Sequence, residues 1–298
     1  MPKAVDDVIK RIKALTCFDG YICSIEQVYL GLSHHCFIVT AVNYSSQKST
    51  KYFVKLLSMH CATEKNERLV AQSSALSKLS PKVIFHSKDW LVTEYIEGYS
   101  LLENNYSLED KISVAMKLLY EFHQLSPIEQ VSSLSLKLLI DIQIQVAIFT
   151  KEQQIFLTNL NQEITTFEQL AEPVICHGDL NFSNILIDKQ AKAWLVDYEC
   201  TSVGCAEYDI AMFIAINNLS NDHISYIFQC YQGKSKRTIR PELVQSYLAC
   251  CYLINGLWYQ EQSKKVVESD QYIDFAYQQY RQFDRLNLSE SKLVEKLL

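Results

Sequence analysis

Several features that would point to other classes of protein are missing from this 298-residue sequence. No apolar run approaches the roughly 18 residues that a membrane-spanning helix needs. The net charge of −6 and the pI near 5.7 leave no basic excess for nucleic acid or an anionic membrane. No G-x-x-x-x-G-K-[ST] sequence is present, which excludes a Walker-type phosphate loop. We therefore expect a globular protein that binds neither nucleic acid nor membrane.

The ten cysteines include no C-x-x-C pair. They are scattered and stand in apolar contexts, as at Cys176 and Cys250-Cys251, so we interpret them as buried thiols without disulfide or metal roles. Residues 1–15 predict an amphipathic helix and not a signal peptide. A cytoplasmic location follows from this interpretation.

One motif carries most of the chemical information. It runs from His177-Gly-Asp179 to Asn184 with the spacing H-x-D-x-x-x-x-N, and Asp197-Tyr-Glu199 follows thirteen residues after Asn184. This is the spacing of a kinase catalytic loop, in which the Asp accepts the proton of the substrate hydroxyl and the Asn holds magnesium. We therefore predict that Asp179 is the catalytic base for phosphoryl transfer from ATP. A simple turn capped by His177 and Asp179 is the alternative.

The residues after Asn184 predict how the metal ligands come together. Two short apolar runs, at residues 185–188 and 193–196, flank the polar residues 189–192, a pattern typical of a β-hairpin. Because a hairpin brings its ends together, Asn184 and Asp197 are expected to share magnesium, a hard cation that prefers oxygen ligands.

Two charged residues upstream stand in the order found in kinases. Lys55 lies in a strand-like run at residues 52–57, where a strand lysine binds the α and β phosphates. Glu67 follows twelve residues later, in a stretch at residues 66–79 with helical spacing of its apolar residues. A glutamate there can pair with Lys55 and hold its ammonium toward ATP. Alone, both residues would be surface charges; their order relative to Asp179 favours the catalytic role.

With these motifs, the sequence resembles the aminoglycoside phosphotransferase and choline kinase superfamily, and within it the bacterial choline, ethanolamine and thiamine kinases. The resemblance covers nearly the whole chain. Besides the catalytic loop and the Asp197 turn, it rests on Gly31-Leu-Ser33-His-His-Cys-Phe-Ile-Val39, Asn66-Glu67, Trp90-Leu-Val-Thr-Glu94-Tyr-Ile96-Glu-Gly98, Glu207-Tyr-Asp209-Ile-Ala and Gly256-Leu-Trp258-Tyr-Gln-Glu261.

The resemblance implies an α+β, two-lobed, protein-kinase-like fold. A small antiparallel-sheet lobe at residues 1–97 is expected to bind the nucleotide, and a larger, mainly helical lobe at residues 98–298 to carry catalysis and substrate binding. The implied cofactors are ATP and Mg²⁺. Lys55 and Ser33 are assigned to the nucleotide, and the adenine edge to the backbone around Glu94 and Ile96. Asp209 is expected to brace the catalytic loop.

Two departures from the protein-kinase pattern favour a constitutively active metabolic kinase. Gly178 replaces the arginine that senses activation-loop phosphorylation, and Asp197-Tyr-Glu stands in place of Asp-Phe-Gly. The turn that covers the phosphates is also poor in glycine, with Leu30 where relatives often have a second glycine.

Apolar periodicity predicts the order of elements. In the first lobe we expect a helix at 1–15, strands at 21–29, 36–44 and 52–57, a helix from 66, and strands at 83–86 and 90–95. Gly98 and residues 101–105 mark a junction, and Ser107-Leu-Glu-Asp110 resembles a helix cap. Helical patterns follow at 134–171 and from 241 to the end of the sequence.

The C-terminal region is rich in aromatic and acidic residues. Aromatic faces attract quaternary or aromatic cations, and carboxylates add a long-range pull. Trp258 matches the choline-kinase segment that carries a cage tryptophan, so we assign it to the substrate site together with Tyr277, Glu199 and Asp179. Aromatic stripes at helical spacing are also typical of a core, which is the alternative for these rings.

Together these features predict an ATP- and magnesium-dependent kinase for the primary hydroxyl of a small cationic metabolite, choline- or ethanolamine-like. Thiamine kinase is the alternative, because residues 89–98 and 269–272 resemble bacterial thiamine kinases. An aminoglycoside phosphotransferase and a catalytically silent nucleotide-binding scaffold are less favoured, the scaffold because every catalytic position is filled. No obligate protein partner is evident from the sequence.

Overall fold

A computed structural model describes residues 2–28, 35–57, 64–167, 172–233, 238–265, 269–287 and 292–298. The backbone forms two compact units, each built from more than one stretch of the chain. The first comprises Met1–Asn105, Ile128–Val131 and Ser183–Cys200, and the second comprises Tyr106–Pro127, Ser132–Phe182 and Thr201–Leu298. The lobe boundary at residue 97 remains a prediction.

The helices and strands follow the predicted order, with additions from residue 98 onwards. They are α1 (Pro2–Lys13), β1 (Tyr21–Val28), β2 (His35–Val42), β3 (Ser49–Leu56), α2 (Glu64–Leu76), β4 (Val83–His86), β5 (Trp90–Glu94), β6 (Gly98–Ser100), α3 (Leu108–Phe122), α4 (Leu136–Val146), α5 (Lys151–Ile164), β7 (Val174–Cys176), β8 (Ile185–Asp188), β9 (Ala193–Leu195), β10 (Ser202–Gly204), α6 (Ala206–Ile216), α7 (Ile224–Gln232), α8 (Pro241–Ser263), α9 (Ser269–Arg285) and α10 (Leu293–Leu297).

The first unit is built on an antiparallel sheet of five strands in the order β1-β2-β3-β5-β4. Val8 and Ile12 of α1 belong to the same buried cluster as Phe37, Val54 and Val92 of the sheet. The apolar side of α1 therefore packs on the sheet, and the amphipathic helix predicted at the start of the chain is confirmed. The strand register places Lys55 on a central strand.

The hairpin predicted after Asn184 is confirmed as β8 and β9, with Ile185 opposite Leu195. Residues 98–100, at the start of the predicted junction, form strand β6, which pairs with β8 in the first unit. Glycine is required at this pairing, since a Cβ on Gly98 would lie 2.0 Å from the carbonyl oxygen of Ile187. Such a short strand forms because β8 pairs with it, and its own three residues carry no sequence pattern that predicts it.

The second unit is mainly helical. The predicted cap of α3 is confirmed, since the Ser107 hydroxyl accepts a hydrogen bond from the Asp110 N–H at 3.1 Å. Residues 206–215 of α6 are buried on every side, so α6 is a core helix. Helices α8 and α9 approach closely at Gly256, where a Cβ would lie 2.3 Å from the Tyr280 ring. Strands β7 and β10 pair with each other and were not predicted.

The nine cysteines of the described segments form no disulfide with one another, as predicted. The expectation that they are all buried is wrong for Cys23 and Cys200, which are exposed. No helix in the described ranges is long and apolar enough to cross a bilayer.

Candidate active site

Lys55 is the centre of a buried group of charges in the first unit. Its ammonium nitrogen lies 2.6 Å from a carboxylate oxygen of Glu67 and 2.7 Å from one of Asp197. The side chains of Lys55 and Glu67 are 6% and 3% exposed, whereas that of Asp197 is 36% exposed. The ion pair predicted from the spacing is therefore present, and a second carboxylate joins it from a side that solvent reaches.

Glu199 adds a third carboxylate to this group, which we call the Lys55 cluster (Lys55, Glu67, Asp197 and Glu199). Its Oε2 atom lies 4.0 Å from the Lys55 ammonium. This position is beside the lysine assigned to the phosphates, and the predicted contact of Glu199 with the alcohol remains a prediction.

The charge of Lys55 is fixed by its neighbours. Burial alone lowers the pKa of a lysine, but the carboxylates of the Lys55 cluster outweigh it and raise the pKa of Lys55 above its ordinary value. Burial also raises the pKa of the Cys36 thiol, which stands opposite Lys55 on β2, to about 12. Lys55 is therefore a permanent cation, and Cys36 is a neutral neighbour.

The β8–β9 hairpin brings Asn184 and Asp197 to the same end. The N–H of Val196 donates to the carbonyl of Asn184 at 3.1 Å, so the backbone holds the two predicted metal ligands in adjacent positions. Asp197 has φ of 67°, a left-handed conformation that few residues other than glycine adopt. The turn after β9 is thus strained at the residue assigned to the metal.

The oxygen atoms at this end of the hairpin suit a divalent cation. Asn184 offers an amide oxygen, and Asp197 and Glu199 offer carboxylates, which are the hard ligands that Mg²⁺ prefers. With Glu67, three carboxylates face the single ammonium of Lys55. The Lys55 cluster thus carries an excess of negative charge, and its residues fit magnesium.

In the second unit, Asp209 of α6 holds the loop that carries Asp179. Its carboxylate oxygens accept hydrogen bonds from the N–H groups of His177 at 2.7 Å and Gly178 at 2.8 Å. The predicted bracing of the loop is confirmed. Gly178 has φ of 76°, so a residue with a side chain would be strained there. The backbone conformation therefore explains why Gly178 stands where protein kinases have an arginine.

A histidine at the end of α3 completes this network. Nε2 of His123 donates to Asp209 at 2.9 Å, and its Nδ1 lies 2.7 Å from the Tyr231 hydroxyl. Burial alone raises the pKa of Asp209, but the hydrogen bond from His123 helps to lower it below its ordinary value. Cys176 is also near, but both ring nitrogens of His123 already have protein partners. This group therefore serves the loop and not a metal.

Asn217, at the C-terminal end of α6, holds the other side of the same loop. Its Oδ1 accepts from the N–H of Phe182 at 2.9 Å, and its Nδ2 donates to the carbonyl of Leu180 at 3.0 Å. Asp179 therefore stands between two segments that one helix fixes. Sequence analysis missed Asn217, because a single asparagine after an apolar helix carries no motif.

The residues assigned to adenine have different surroundings. The N–H of Glu94 donates to the carbonyl of Lys82 at 2.9 Å, so this N–H already has a hydrogen-bond partner within the protein. Ile96 is half-buried, and no described residue forms a hydrogen bond with its backbone. Ile96 is therefore the better placed of the two to meet an adenine edge. Ser33 lies outside the described residues.

Four rings gather where the end of α8 meets the start of α9. We call Trp258, Tyr259, Tyr272 and Phe275 the aromatic cluster, and their neighbouring centroids lie 5.2–6.5 Å apart in tilted or edge-to-face geometry. Trp258 is 38% exposed. Burial raises the pKa of Tyr259, and the charge of Asp179 raises it further. The aromatic cluster therefore lies within electrostatic reach of the predicted base.

Two other residues of this region stand apart from the aromatic cluster. Tyr277 is 41% exposed, and no described ring is in contact with it, so its place in the substrate site remains a prediction. Glu261 pairs with Lys264 at 3.8 Å and Lys265 at 3.3 Å. Its charge is compensated, which reduces its pull on a cation.

Comparison with known proteins identifies the family. The sequence matches the family model described as choline/ethanolamine kinase over residues 25–286. The chain belongs to the choline/ethanolamine kinase family. No curated protein matches the sequence. As a member of this family, the chain is a small-molecule kinase with an alcohol as acceptor.

Solved structures of choline and ethanolamine kinases share the fold. A choline/ethanolamine kinase family protein from Mesorhizobium loti is 18% identical, with a TM-score of 0.70 over 98% of this chain and 97% of that one. The choline kinase LicA from Streptococcus pneumoniae, also solved with AMP, is 16% identical, with a TM-score of 0.71 over 96% and 100%. An ethanolamine kinase from Plasmodium vivax is 17% identical, with a TM-score of 0.67 over 88% and 82%. The predicted kinase-like α+β fold is confirmed.

Proposed function

We propose that the chain transfers the γ-phosphoryl group of ATP, with Mg²⁺, to the primary hydroxyl of choline or ethanolamine. Family membership supports the class of reaction. The observation that carries the choice of a cationic alcohol is the aromatic cluster itself, whose Trp258 ring is partly exposed and which belongs to the same unit as Asp179. In this proposal a cation held by these rings presents its hydroxyl to the base.

In this proposal Asp179 accepts the proton of the alcohol as the alcohol oxygen attacks the γ-phosphorus. A new P–O bond forms, the bond from the γ-phosphorus to the bridging oxygen breaks, and ADP leaves. Asp209 and Asn217 hold the backbone on both sides of Asp179, so the base is positioned before the substrate arrives. Such preorganisation supplies most of the rate, because little covalent chemistry falls to the protein.

The Lys55 cluster is proposed to bind the phosphates. Lys55 contacts the α and β phosphates and Glu67 orients its ammonium. Asn184 and Asp197 hold magnesium, which when bound neutralises charge on the phosphoryl oxygens. Ile96, with Glu94, is assigned to the adenine edge, and Ser33 to the phosphate-covering turn.

The aromatic cluster is proposed to bind the cationic end of the alcohol. Ring faces attract cations through their quadrupole, and the exposed part of Trp258 is accessible to such a ligand. Tyr259 is neutral at physiological pH, as a tyrosine is, and burial raises its pKa further, so it presents a ring and not a charge. Tyr277 and Glu199 complete the proposed substrate residues. Thiamine competes with choline, because it too is a permanent cation with a hydroxyethyl group.

A substrate panel tests this proposal. Purified protein with Mg-ATP is given choline, ethanolamine, thiamine, an aminoglycoside or no acceptor, and ADP and the phosphorylated product are both measured. Asp179→Asn, which removes the base and keeps the size of the side chain, is the control. We expect choline or ethanolamine to give the highest kcat/KM, and the control to form product at least about 10²-fold more slowly.

Each other outcome contradicts a named part of the proposal. A higher kcat/KM for thiamine makes the chain a thiamine kinase, and turnover of the aminoglycoside alone removes the cationic-alcohol assignment. Nucleotide binding without product from any acceptor supports the silent scaffold.

A further inference from the structure

The turn that carries Asp197 combines backbone strain with a firmly anchored neighbour. Asp197 has φ of 67°, and such a conformation persists in a residue with a side chain only when the surroundings enforce it. The next residue, Tyr198, is buried. Its side chain therefore anchors the turn in the interior of the first unit.

Three buried hydroxyl groups meet at Tyr198. Its phenol oxygen lies 2.8 Å from the Ser74 hydroxyl, forms a shorter contact with the Ser80 hydroxyl, and donates to the Leu195 carbonyl at 3.3 Å. The Ser80 hydroxyl is also 2.8 Å from that of Ser74 and 3.0 Å from the Leu195 carbonyl. We call Tyr198, Ser74 and Ser80 the hydroxyl lock. Packing alone does not explain it, because a phenylalanine ring would fill the same space.

One face of α2 connects the hydroxyl lock to the Lys55 cluster. Ser74 follows Glu67 by seven residues on this helix, so the two side chains are two turns apart on the same face. Glu67 pairs with Lys55, and Ser74 contacts Tyr198. The helix that orients the lysine thus also anchors the turn that carries Asp197.

We propose that Tyr198 is a positioning residue whose hydroxyl lock holds the Asp197 carboxylate toward Lys55 and the metal and couples that position to α2. The inference rests on the proposed function, because Asp197 receives its metal role there.

Tyr198→Phe removes the hydroxyl and keeps the ring. In isothermal titration calorimetry we expect the affinity for ADP with Mg²⁺ to fall by about tenfold, as for the loss of a buried hydrogen bond that orients one ligand. The affinity for ADP in EDTA is expected to stay within about twofold, because Lys55 and Glu67 are unchanged. In assays, KM for Mg-ATP rises and KM for the alcohol does not. A rise in KM for Mg-ATP without a rise in KM for the alcohol distinguishes the loss of a positioned metal ligand from a general loss of structure.

Tyr280→Phe is the matched control. Tyr280 is also buried, and its hydroxyl donates to Gln260 at 2.7 Å, but it belongs to the second unit. We expect it to lower the melting temperature without changing the affinity for Mg-ADP. Ser74→Ala and Ser80→Ala each remove one member of the hydroxyl lock and are expected to weaken Mg-ADP binding less than Tyr198→Phe. These two variants decide the question if Tyr198→Phe does not fold.

Three results overturn the proposal: unchanged Mg-ADP affinity in a folded Tyr198→Phe protein, equal losses with and without metal, or the same loss in Tyr280→Phe. If the unsubstituted protein binds no Mg-nucleotide, the proposed function fails instead. The hydroxyl lock is then tested without ligand by amide hydrogen exchange of residues 196–199. Exchange that is no faster in Tyr198→Phe, or in either serine variant, overturns it.

Discussion

The Lys55 cluster and the aromatic cluster hold their groups in opposite ways. The first joins charged atoms at 2.6–2.7 Å, with Lys55 and Glu67 almost fully buried. The second places rings at centroid distances of 5.2–6.5 Å and leaves Trp258 partly exposed. Burial strengthens ion pairs because water no longer screens them, whereas a partly exposed ring face stays open to a cation that arrives from solvent.

We infer from this difference that phosphoryl transfer and the choice of alcohol depend on separate groups of residues. Phosphoryl transfer requires a few charges in fixed places, and burial keeps them there. In the proposed function, the choice of alcohol depends on a more open surface that can change without disturbing those charges. Substitutions in the two regions should therefore alter different kinetic constants, and the three predictions below test that division in order of expected effect.

The largest effect is expected for Asp179→Ala. We expect kcat to fall by about 10²–10⁴, the usual contribution of a general base, with nucleotide affinity nearly unchanged. Single-turnover kinetics and calorimetry with Mg-ADP measure the two quantities. Asp222→Ala, at an exposed aspartate of the same unit, is the control. A near-normal kcat would show that Asp179 is not the base.

Asp197→Ala tests the Lys55 cluster itself. We expect the affinity for Mg-ATP to fall on the order of 10², because the side chain is assigned to the metal and also contacts Lys55. Titrations at several Mg²⁺ concentrations measure the loss. Asp188→Ala removes another carboxylate from the same hairpin, where it accepts from the Trp194 indole at 2.8 Å, and should bind Mg-ATP normally. Equal affinities for both variants place the metal elsewhere.

Trp258→Ala tests the aromatic cluster. We expect KM for the preferred alcohol to rise about tenfold or more, while KM for ATP is unchanged, if the ring contributes about 2 kcal/mol to binding of the cation. Steady-state kinetics with both substrates varied measure this. Trp194→Ala is the control, since that ring packs against the Lys192 ammonium at 3.2 Å in the hairpin. If every KM is unchanged in Trp258→Ala, the tryptophan only packs in the core.

Two parts of the candidate site were predictable from sequence, because the Lys55–Glu67 pair and the approach of Asn184 to Asp197 each depend on a short spacing. Lys55 lies on a strand and Glu67 on the next helix, so their pairing follows from local pattern. A hairpin necessarily brings Asn184 close to Asp197. The motif around Asp179 also identified the loop, and Asp209 was placed correctly beside it.

The groups that hold these residues were not predictable, because they meet through tertiary packing. Ser74 and Tyr198 are 124 positions apart, and serine has no periodicity that marks it as buried. Asn217 reaches Phe182 across 35 positions from a helix whose pattern only indicates burial. Sequence thus identifies the charged side chains of the candidate site better than the residues that hold them in place.

The burial of α6 on every side has a consequence for genetics. Because Asp209 and Asn217 extend from this helix to the loop of Asp179, a substitution that shifts the helix also shifts the base. A screen for inactive alleles should therefore recover changes at positions such as Ala211 and Ile214, whose side chains are enclosed in the core. Such alleles would resemble lesions of the catalytic machinery, although their primary defect is in packing.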